Sequence, residues 1–177
     1  MIKNYEPPEF MKMIELLIPL KLKWEGEFYT VDEWREKAVR ECGKNRKQGK
    51  AAIYNRFTSA LLEGFRTKGK DFGPRIELMD KYIQNLTDVT PGIIQTILIK
   101  TNYPLKKRGA EVISGAKKIV EPRDFQWEQY FLKAEAEYES GYLQDKFLKI
   151  KGVGPKVRDL ALSEFSNRFC AIDVHVA

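Results

Sequence analysis

The amino-acid sequence predicts an all-α protein, and three observations support this fold class. Apolar residues recur at intervals of three and four along most of the chain, as they do on the buried face of a helix. No stretch longer than a few residues alternates apolar and polar positions in the manner of a half-buried strand. Threonine and proline stand where helices usually begin. With 177 residues, the chain is long enough to bury a sizeable core.

The composition indicates a globular protein with a modest preference for polyanionic partners. Apolar residues make up 43% of the chain and charged residues 32%, which excludes an intrinsically disordered protein. Lysine and arginine number 31 against 25 aspartate and glutamate, and the net charge of +6 slightly favours a nucleic-acid partner. Cys42 and Cys170 stand far apart, so we expect a reducing compartment and no disulfide framework.

The sequence predicts no membrane span and no signal peptide. The longest apolar run, residues 14–22, is interrupted by Glu15, Pro19 and Lys21 and is too short to cross a bilayer. The N-terminus lacks the cationic start and the uninterrupted apolar core of an export signal. We therefore expect no membrane partner.

A capping pattern marks the first clear helix start. Thr30 and Glu33 have the spacing of a capping box, in which each side chain accepts a hydrogen bond from the other residue's amide. The helix is therefore expected to begin at Val31. Cys42 and Gly43 are expected to end it, because glycine commonly follows the last turn of a helix.

The next segments predict where the chain divides. Basic residues 44–50 are expected to form a solvated loop, with phosphate contact as the less favoured alternative. An apolar helix follows, and the glycine-rich basic loop of residues 66–74 is the best internal boundary. We therefore predict an N-terminal helical region at residues 1–73 and a core domain at residues 74–177.

The first half of the core domain contains two further helix signals. Thr90 is placed to cap a helix whose first residue is Pro91. Tyr103 and Pro104 should end that helix, because proline disfavours helical geometry in the residue before it. Another helix is expected over residues 104–120.

Four aromatic residues follow the turn at Pro122. Aromatic rings can stack on a nucleic-acid base. At helical spacing they more often pack in the core, and we favour that interpretation. The four residues are Phe125, Trp127, Tyr130 and Phe131.

The last thirty residues predict two helices separated by a tight glycine turn. Gly152 and Gly154 allow another backbone or a phosphate to come close. The first amides of the following helix have no partner within the helix and can bind an anion. Pro155 suits the first position of that helix. Apolar residues at helical spacing approach and leave the turn, namely Leu143, Phe147 and Ile150, then Val157, Leu160, Ala161 and Phe165.

Lys156 and Asp173 are the candidate reactive residues. A lysine in the first turn of a helix lies where the helix dipole disfavours a cation, a setting that suits a nucleophilic amine. Asp173 stands among apolar neighbours, and a buried carboxylate needs a partner. From the residues alone, a phosphate-binding lysine and a helix-capping aspartate are as well supported as a reactive lysine with its carboxylate.

A family resemblance rests on these residues. Gly-Val-Gly-Pro-Lys at residues 152–156 is followed, seventeen residues after the lysine, by Asp173 in Ile-Asp-Val-His-Val. The pattern resembles the helix-hairpin-helix and Gly/Pro-Asp signature of the endonuclease III superfamily of DNA glycosylases. The phrase Ile-Lys-Gly-Val-Gly-x-Lys is similar to that of archaeal 8-oxoguanine DNA glycosylase/lyases. The resemblance covers the last thirty residues and implies a helix-hairpin-helix glycosylase-like domain with an N-terminal helical extension.

The resemblance also implies an activity and a set of site residues. The activity is that of a bifunctional glycosylase and abasic-site lyase of base excision repair, with 8-oxoguanine as the favoured target. Lys156 is the implied Schiff-base nucleophile and Asp173 its essential carboxylate, whereas His175 has a structural place. The expected DNA contacts are Lys151, Gly152, Val153, Gly154 and Arg158.

The partners follow from the same resemblance. The implied substrate is duplex DNA with damaged bases or abasic sites, bound by a monomer in the cytoplasm at the nucleoid. No cofactor or catalytic metal is implied, although relatives often hold a sodium or potassium ion at hairpin carbonyls. Two cysteines are too few for the iron–sulfur cluster of some relatives. Relatives also continue well past the aspartate with helices that help to form the base pocket. We therefore expect this chain to be truncated, and the less favoured alternative is that its N-terminal helices replace the missing tail.

Alternative functions remain open. A non-catalytic helix-hairpin-helix module would need only the hairpin and the positive charge to bind DNA. An endonuclease III-like glycosylase for oxidised pyrimidines would share the reactive lysine. A base-excising enzyme without lyase activity is disfavoured by Lys156. The pair of Lys156 and Asp173 favours an enzyme, because a binding module has no need of both.

Overall fold

The computed structural model describes residues 21–24, 26–63, 71–137 and 145–169, together with residues 12 and 16. These residues are predominantly helical, which confirms the all-α prediction. The described α-helices are α1 Val31–Arg46, α2 Lys50–Glu63, α3 Phe72–Tyr82, α4 Pro91–Lys100, α5 Lys106–Val120, α6 Trp127–Glu137 and α7 Pro155–Ser163. Two 3₁₀ turns, Leu86–Asp88 and Lys146–Lys149, and two short strands, β1 Leu22–Trp24 and β2 Glu27–Tyr29, complete the described elements.

The chain divides into two compact units, residues 1–41 and 42–177. In the first unit, β1 and β2 pair as an antiparallel hairpin in which Leu22 lies opposite Tyr29. The Thr30 amide donates to Glu33 Oε2 at 2.8 Å, and the Glu33 amide donates to Thr30 Oγ1 at 3.2 Å. The predicted capping box and helix start are therefore confirmed.

The end of α1 differs from the prediction. The helix continues through Gly43 to Arg46, so the stop expected at Cys42 and Gly43 is wrong. Within the second unit, the Asn45 side-chain amide donates to the Glu164 carbonyl at 2.8 Å. Arg46 forms ion pairs with Glu128 at 2.9 Å and Glu135 at 2.7 Å. These tertiary contacts favour the extra turn of helix over a glycine stop.

Helix α2 forms the centre of the second unit and packs against α3, α5 and α7. Its Phe57 is fully buried, and the Phe57 ring centroid lies 5.2 Å from that of Trp127 and 4.7 Å from that of Phe147. Trp127 and Phe131 are also buried, which confirms the core interpretation for these two aromatic residues.

The division of the chain lies between Glu41 and Cys42, not in the loop predicted to separate residues 1–73 from 74–177. The physical reason is the position of α2, which packs with the core helices although it precedes that loop. Residues 66–70 of the loop lie outside the described residues.

The helix signals in the middle of the chain are confirmed. Thr90 caps α4 by accepting a hydrogen bond from the Ile93 amide, and Pro91 occupies the first helical position. Helix α4 ends at Lys100, before Tyr103 and Pro104. In the part of the chain that the structure describes, no helix has both the length and the apolar character needed to span a membrane.

Candidate functional site

The glycine turn and the start of α7 form the candidate site. The Val153 amide donates to the Ile150 carbonyl at 2.9 Å and closes the turn. Helix α7 then begins, with Gly154 as its extended N-cap and Pro155 at its first positions. The predicted turn and the predicted helix start at proline are therefore both present.

The segment before the turn is a 3₁₀ turn in the described residues, not the α-helix that the apolar spacing predicted. The Ile150 amide donates to the Phe147 carbonyl at 3.1 Å, three residues back. Phe147 and Ile150 are both buried, and a period of three directs both to the core. Leu143, the first apolar residue of the predicted helix, lies outside the described residues.

The two glycines of the turn have different environments. Gly152 has φ +89°, a left-handed conformation that favours glycine. A Cβ atom added at Gly152 would also collide with the guanidinium of Arg108 in α5. A Cβ atom added at Gly154 would meet nothing within 4 Å. Gly152 therefore shapes the turn, whereas Gly154 faces open space at the start of α7.

This difference predicts unequal effects of alanine on stability at the two positions. Gly152→Ala is expected to lower the free energy of unfolding by about 1–3 kcal/mol, because alanine is strained in the left-handed region. Gly154→Ala is expected to change it by less than about 0.5 kcal/mol, because the position is open and its backbone is extended. Urea unfolding of both variants checks the expectation. Equal losses in the two variants would contradict the assigned roles.

The predicted nucleophile is accessible. Lys156 is the second residue of α7 and its side chain is exposed, as is that of Lys151 in the turn. The next residue, Val157, is buried against the core. Asp173 and His175 lie outside the described residues, so the pairing of Lys156 with Asp173 remains a prediction.

Val153 has a supporting place in the turn. Its side chain is buried, and its amide is engaged with the Ile150 carbonyl. Among the turn residues predicted to contact DNA, Lys151 and Gly154 therefore present open surface, while Gly152 and Val153 hold the shape of the turn.

Arg158 faces inward, and its predicted phosphate contact must be corrected. Only 3% of its surface is exposed. Its Nη2 donates to Asp159 Oδ1 at 2.6 Å, and its Nη1 donates to Asp145 Oδ2 at 3.2 Å. A guanidinium engaged by two buried carboxylates cannot also reach a phosphate outside the protein. Arg158 instead fixes α7 to the residues before the turn.

Tyr130 joins this buried network from α6. Its hydroxyl donates to Asp145 Oδ2 at 2.9 Å, and Asp145 Oδ1 accepts from the Phe147 amide at 2.8 Å. Burial, reinforced by the charge of Asp145, raises the pKa of Tyr130 well above its usual value. The tyrosine therefore stays a neutral donor. The network links α6, the 3₁₀ turn and α7.

The charge state of Arg158 follows from the same contacts. Burial alone would lower its pKa, but the hydrogen bond and charge of Asp159, with the charge of Asp145, raise the pKa above its ordinary value. The guanidinium is therefore charged and offsets one of two carboxylates. In the sequence, only the adjacency of Arg158 and Asp159 signals this cluster.

Helix α5 supports the turn from its other side. Gly115 brings α5 close to Ile150, because a Cβ atom added at Gly115 would lie 3.2 Å from the Ile150 side chain. About two turns earlier in the same helix, Arg108 lies against Gly152. The turn is thus held by α5 at two places and by the Arg158 network at α7.

Two of the four aromatic residues line a cavity beside the 3₁₀ turn. Phe125 and Tyr130, both half-buried, enclose it together with Phe147 and the Asp145 carboxylate, and its volume is about 380 Å³. Its aromatic walls belong to the same ring cluster as Phe57 and Trp127.

The surroundings of Lys156 therefore combine an exposed amine, an open glycine and a firmly held turn. Comparisons of the chain with protein-family models, with curated proteins and with solved structures found no match. The functional assignment therefore rests on the residues of the hairpin and their geometry.

Proposed function

We propose that this chain is a DNA glycosylase with abasic-site lyase activity that acts on oxidised bases, with 8-oxoguanine as the first candidate. One observation carries the proposal. Lys156 stands exposed in the first turn of α7, two residues after Gly154, where open space lets a phosphate approach. The amides at the start of a helix attract such an anion. The proposed nucleophile would thus lie beside a held DNA backbone.

The proposed reaction begins with the damaged nucleotide outside the stack. A base within a duplex cannot reach a side chain, so the nucleotide must rotate out of the helix. Phosphate contacts at the turn would hold the backbone during this rotation without reading sequence. Lys151 and the open side of Gly154 are the described features that could supply these contacts.

Bond making and breaking would then take place at the sugar. Deprotonated Lys156 would attack C1′ as the bond to the base breaks, and the base would leave with a proton. The carboxylate of Asp173 would stabilise the positive charge that develops on the sugar and help to remove the proton from the lysine. The C1′–O4′ bond would then break, with O4′ taking up a proton, and the opened sugar would carry a protonated imine to Lys156 that acidifies C2′. Loss of a C2′ proton would then expel the 3′ phosphate and cut the strand.

A monovalent cation at the turn is compatible with the residues present. Carbonyl oxygens would hold the ion, and each backbone carbonyl has two lone pairs. The Ile150 and Gly154 carbonyls each accept one amide, from Val153 and Arg158 respectively, which leaves a second lone pair for a cation. A bound cation would add positive charge facing a phosphate. The chain's own residues carry the proposed chemistry.

Borohydride trapping tests the proposal. The chain would be incubated with three duplexes, containing a single 8-oxoguanine, a single abasic site or no lesion, in the presence of sodium borohydride. A covalent protein–DNA adduct on the 8-oxoguanine duplex is expected, because borohydride reduces the imine to a stable amine. The undamaged duplex should give none.

The other outcomes separate the competing functions. An adduct on the abasic duplex alone would preserve the lyase proposal and overturn 8-oxoguanine as the substrate, and duplexes with oxidised pyrimidines would be tested next. Salt-sensitive DNA binding without an adduct on any duplex would overturn the enzyme and favour a non-catalytic DNA-binding module.

A further inference from the structure

Three exposed lysines lie along one side of a groove next to the turn. Lys146 and Lys149 belong to the 3₁₀ turn, and Lys151 belongs to the glycine turn that follows. All three line the same groove, whose floor includes Ile119 and Ile150. We use the term lysine ridge for Lys146, Lys149 and Lys151. Family resemblance drew attention only to Lys151.

The 3₁₀ geometry aligns the ridge. A 3₁₀ helix has three residues per turn and rises about 2 Å per residue, so side chains three positions apart are eclipsed and about 6 Å apart along the axis. Lys146 and Lys149 have this spacing. In an α-helix the same two residues would be offset around the axis. The separation is of the order of that between successive phosphates in one nucleic-acid strand.

The charges around the groove are unequal. Within the described part of the chain, none of the three ridge lysines forms an ion pair, so their charges face solvent. Glu111 on α5 lines the groove with them. A polyanion following the ridge would be attracted by the lysines and repelled by Glu111.

We propose that Lys146 and Lys149 extend the DNA contact of the hairpin along the phosphates of one strand. The inference rests on the proposed function, because it assumes that DNA reaches the turn. Helix α5 contacts the turn at two places, where Gly115 approaches Ile150 and Arg108 approaches Gly152. The ridge therefore keeps a fixed place relative to the open side of Gly154. The ridge contributes affinity and orientation, not sequence specificity.

The salt dependence of DNA binding tests the ridge. Wild type and the double variant Lys146→Gln/Lys149→Gln would be titrated with a duplex carrying a tetrahydrofuran abasic-site analogue, at several salt concentrations. Each phosphate contact contributes about 0.9 to the slope of log affinity against log salt. Loss of both contacts is therefore expected to reduce the magnitude of the slope by about 2.

A matched control removes the same charge elsewhere. Lys81 and Lys100 are exposed lysines beside Tyr82, outside the groove, and Lys81→Gln/Lys100→Gln lowers the net charge by the same amount. Its slope should change by less than about 0.5, because these lysines contact no phosphate in the proposed complex. Equal changes of this slope in the two double variants would contradict the proposed DNA contact of the ridge.

Glu111→Gln supplies an effect of opposite sign. Removal of the carboxylate that lines the groove should tighten binding severalfold at low salt in the wild-type background. Unchanged or weaker binding would contradict the placement of phosphates along the ridge. Failure of the ridge and failure of the enzyme are distinguishable. Borohydride adducts with an unchanged slope overturn only the ridge, whereas the expected slope change without adducts overturns only the lyase.

Discussion

Lys156→Gln is expected to abolish the borohydride-trapped adduct on abasic-site DNA. Glutamine has nearly the length of lysine but no amine, so it cannot form an imine. Lys156 is exposed in the first turn of α7, and its replacement should change the free energy of unfolding by less than about 0.5 kcal/mol. Loss of the adduct would therefore report on chemistry and not on folding. Gel electrophoresis of the trapped complex measures the effect.

Lys151→Gln is the matched control for this variant. Lys151 is an exposed lysine of the same turn, five residues before Lys156. Its replacement is expected to weaken DNA binding, yet the adduct should form at saturating DNA because the nucleophile is intact. A persistent adduct in Lys156→Gln, or an adduct lost equally in both variants, would remove Lys156 from the role of nucleophile.

Arg158→Met is expected to lower the free energy of unfolding by about 3–5 kcal/mol, the usual cost of leaving a buried charge uncompensated. The guanidinium is the cation between Asp145 and Asp159, whose side chains are only 5% and 9% exposed. Methionine retains the bulk of the side chain but leaves both carboxylates buried without it. Urea unfolding monitored by circular dichroism measures the loss.

Two further variants separate charge from packing at this site. The triple variant Asp145→Asn/Arg158→Met/Asp159→Asn should recover much of the stability, because it removes the carboxylates together with the cation. Arg56→Met breaks a partly exposed pair with Glu164, whose side chains are 25% and 26% exposed, and is expected to cost about 1 kcal/mol or less. A loss for Arg158→Met no larger than that for Arg56→Met would contradict the structural role of the buried network.

Local chemistry made several elements of this fold predictable. The capping box of Thr30 and Glu33 and the cap of Thr90 before Pro91 depend on residues at most three positions apart. Pro155 at the start of α7 is equally local, because its ring already has the backbone angle of a helix. Predictions from such local signals agree with the structure because no distant contact competes with them.

Features that depend on distant contacts could not be predicted in this way. Helix α1 continues through Gly43 because Asn45 and Arg46 bind residues that are remote in sequence. Arg158 has the position of a phosphate contact in the motif, yet two carboxylates turn it inward. A single sequence does not show that Asp145 comes within reach of it. The packing of α2 with the core helices also depends on distant contacts, so it could not be predicted from the sequence.

The site was predicted in part. The turn, the helix start and the exposure of Lys156 agree with the sequence pattern, because glycine and proline impose them locally. The spacing of Phe147 and Ile150 fits either an α-helix or a 3₁₀ turn, and only packing decides between the two. The alignment of Lys146 with Lys149 depends on that choice and could not be anticipated.

The 3₁₀ turn also makes the length of this segment critical. With three residues per turn, insertion or deletion of one residue rotates everything beyond it by about a third of a turn. A lysine would then stand where an apolar side chain is now buried, and Phe147 or Ile150 would leave the core. The turn between α1 and α2, at residues 47–49, directs no buried apolar side chain. Changes in chain length should therefore accumulate at residues 47–49 in related sequences and be rare between Asp145 and Ile150.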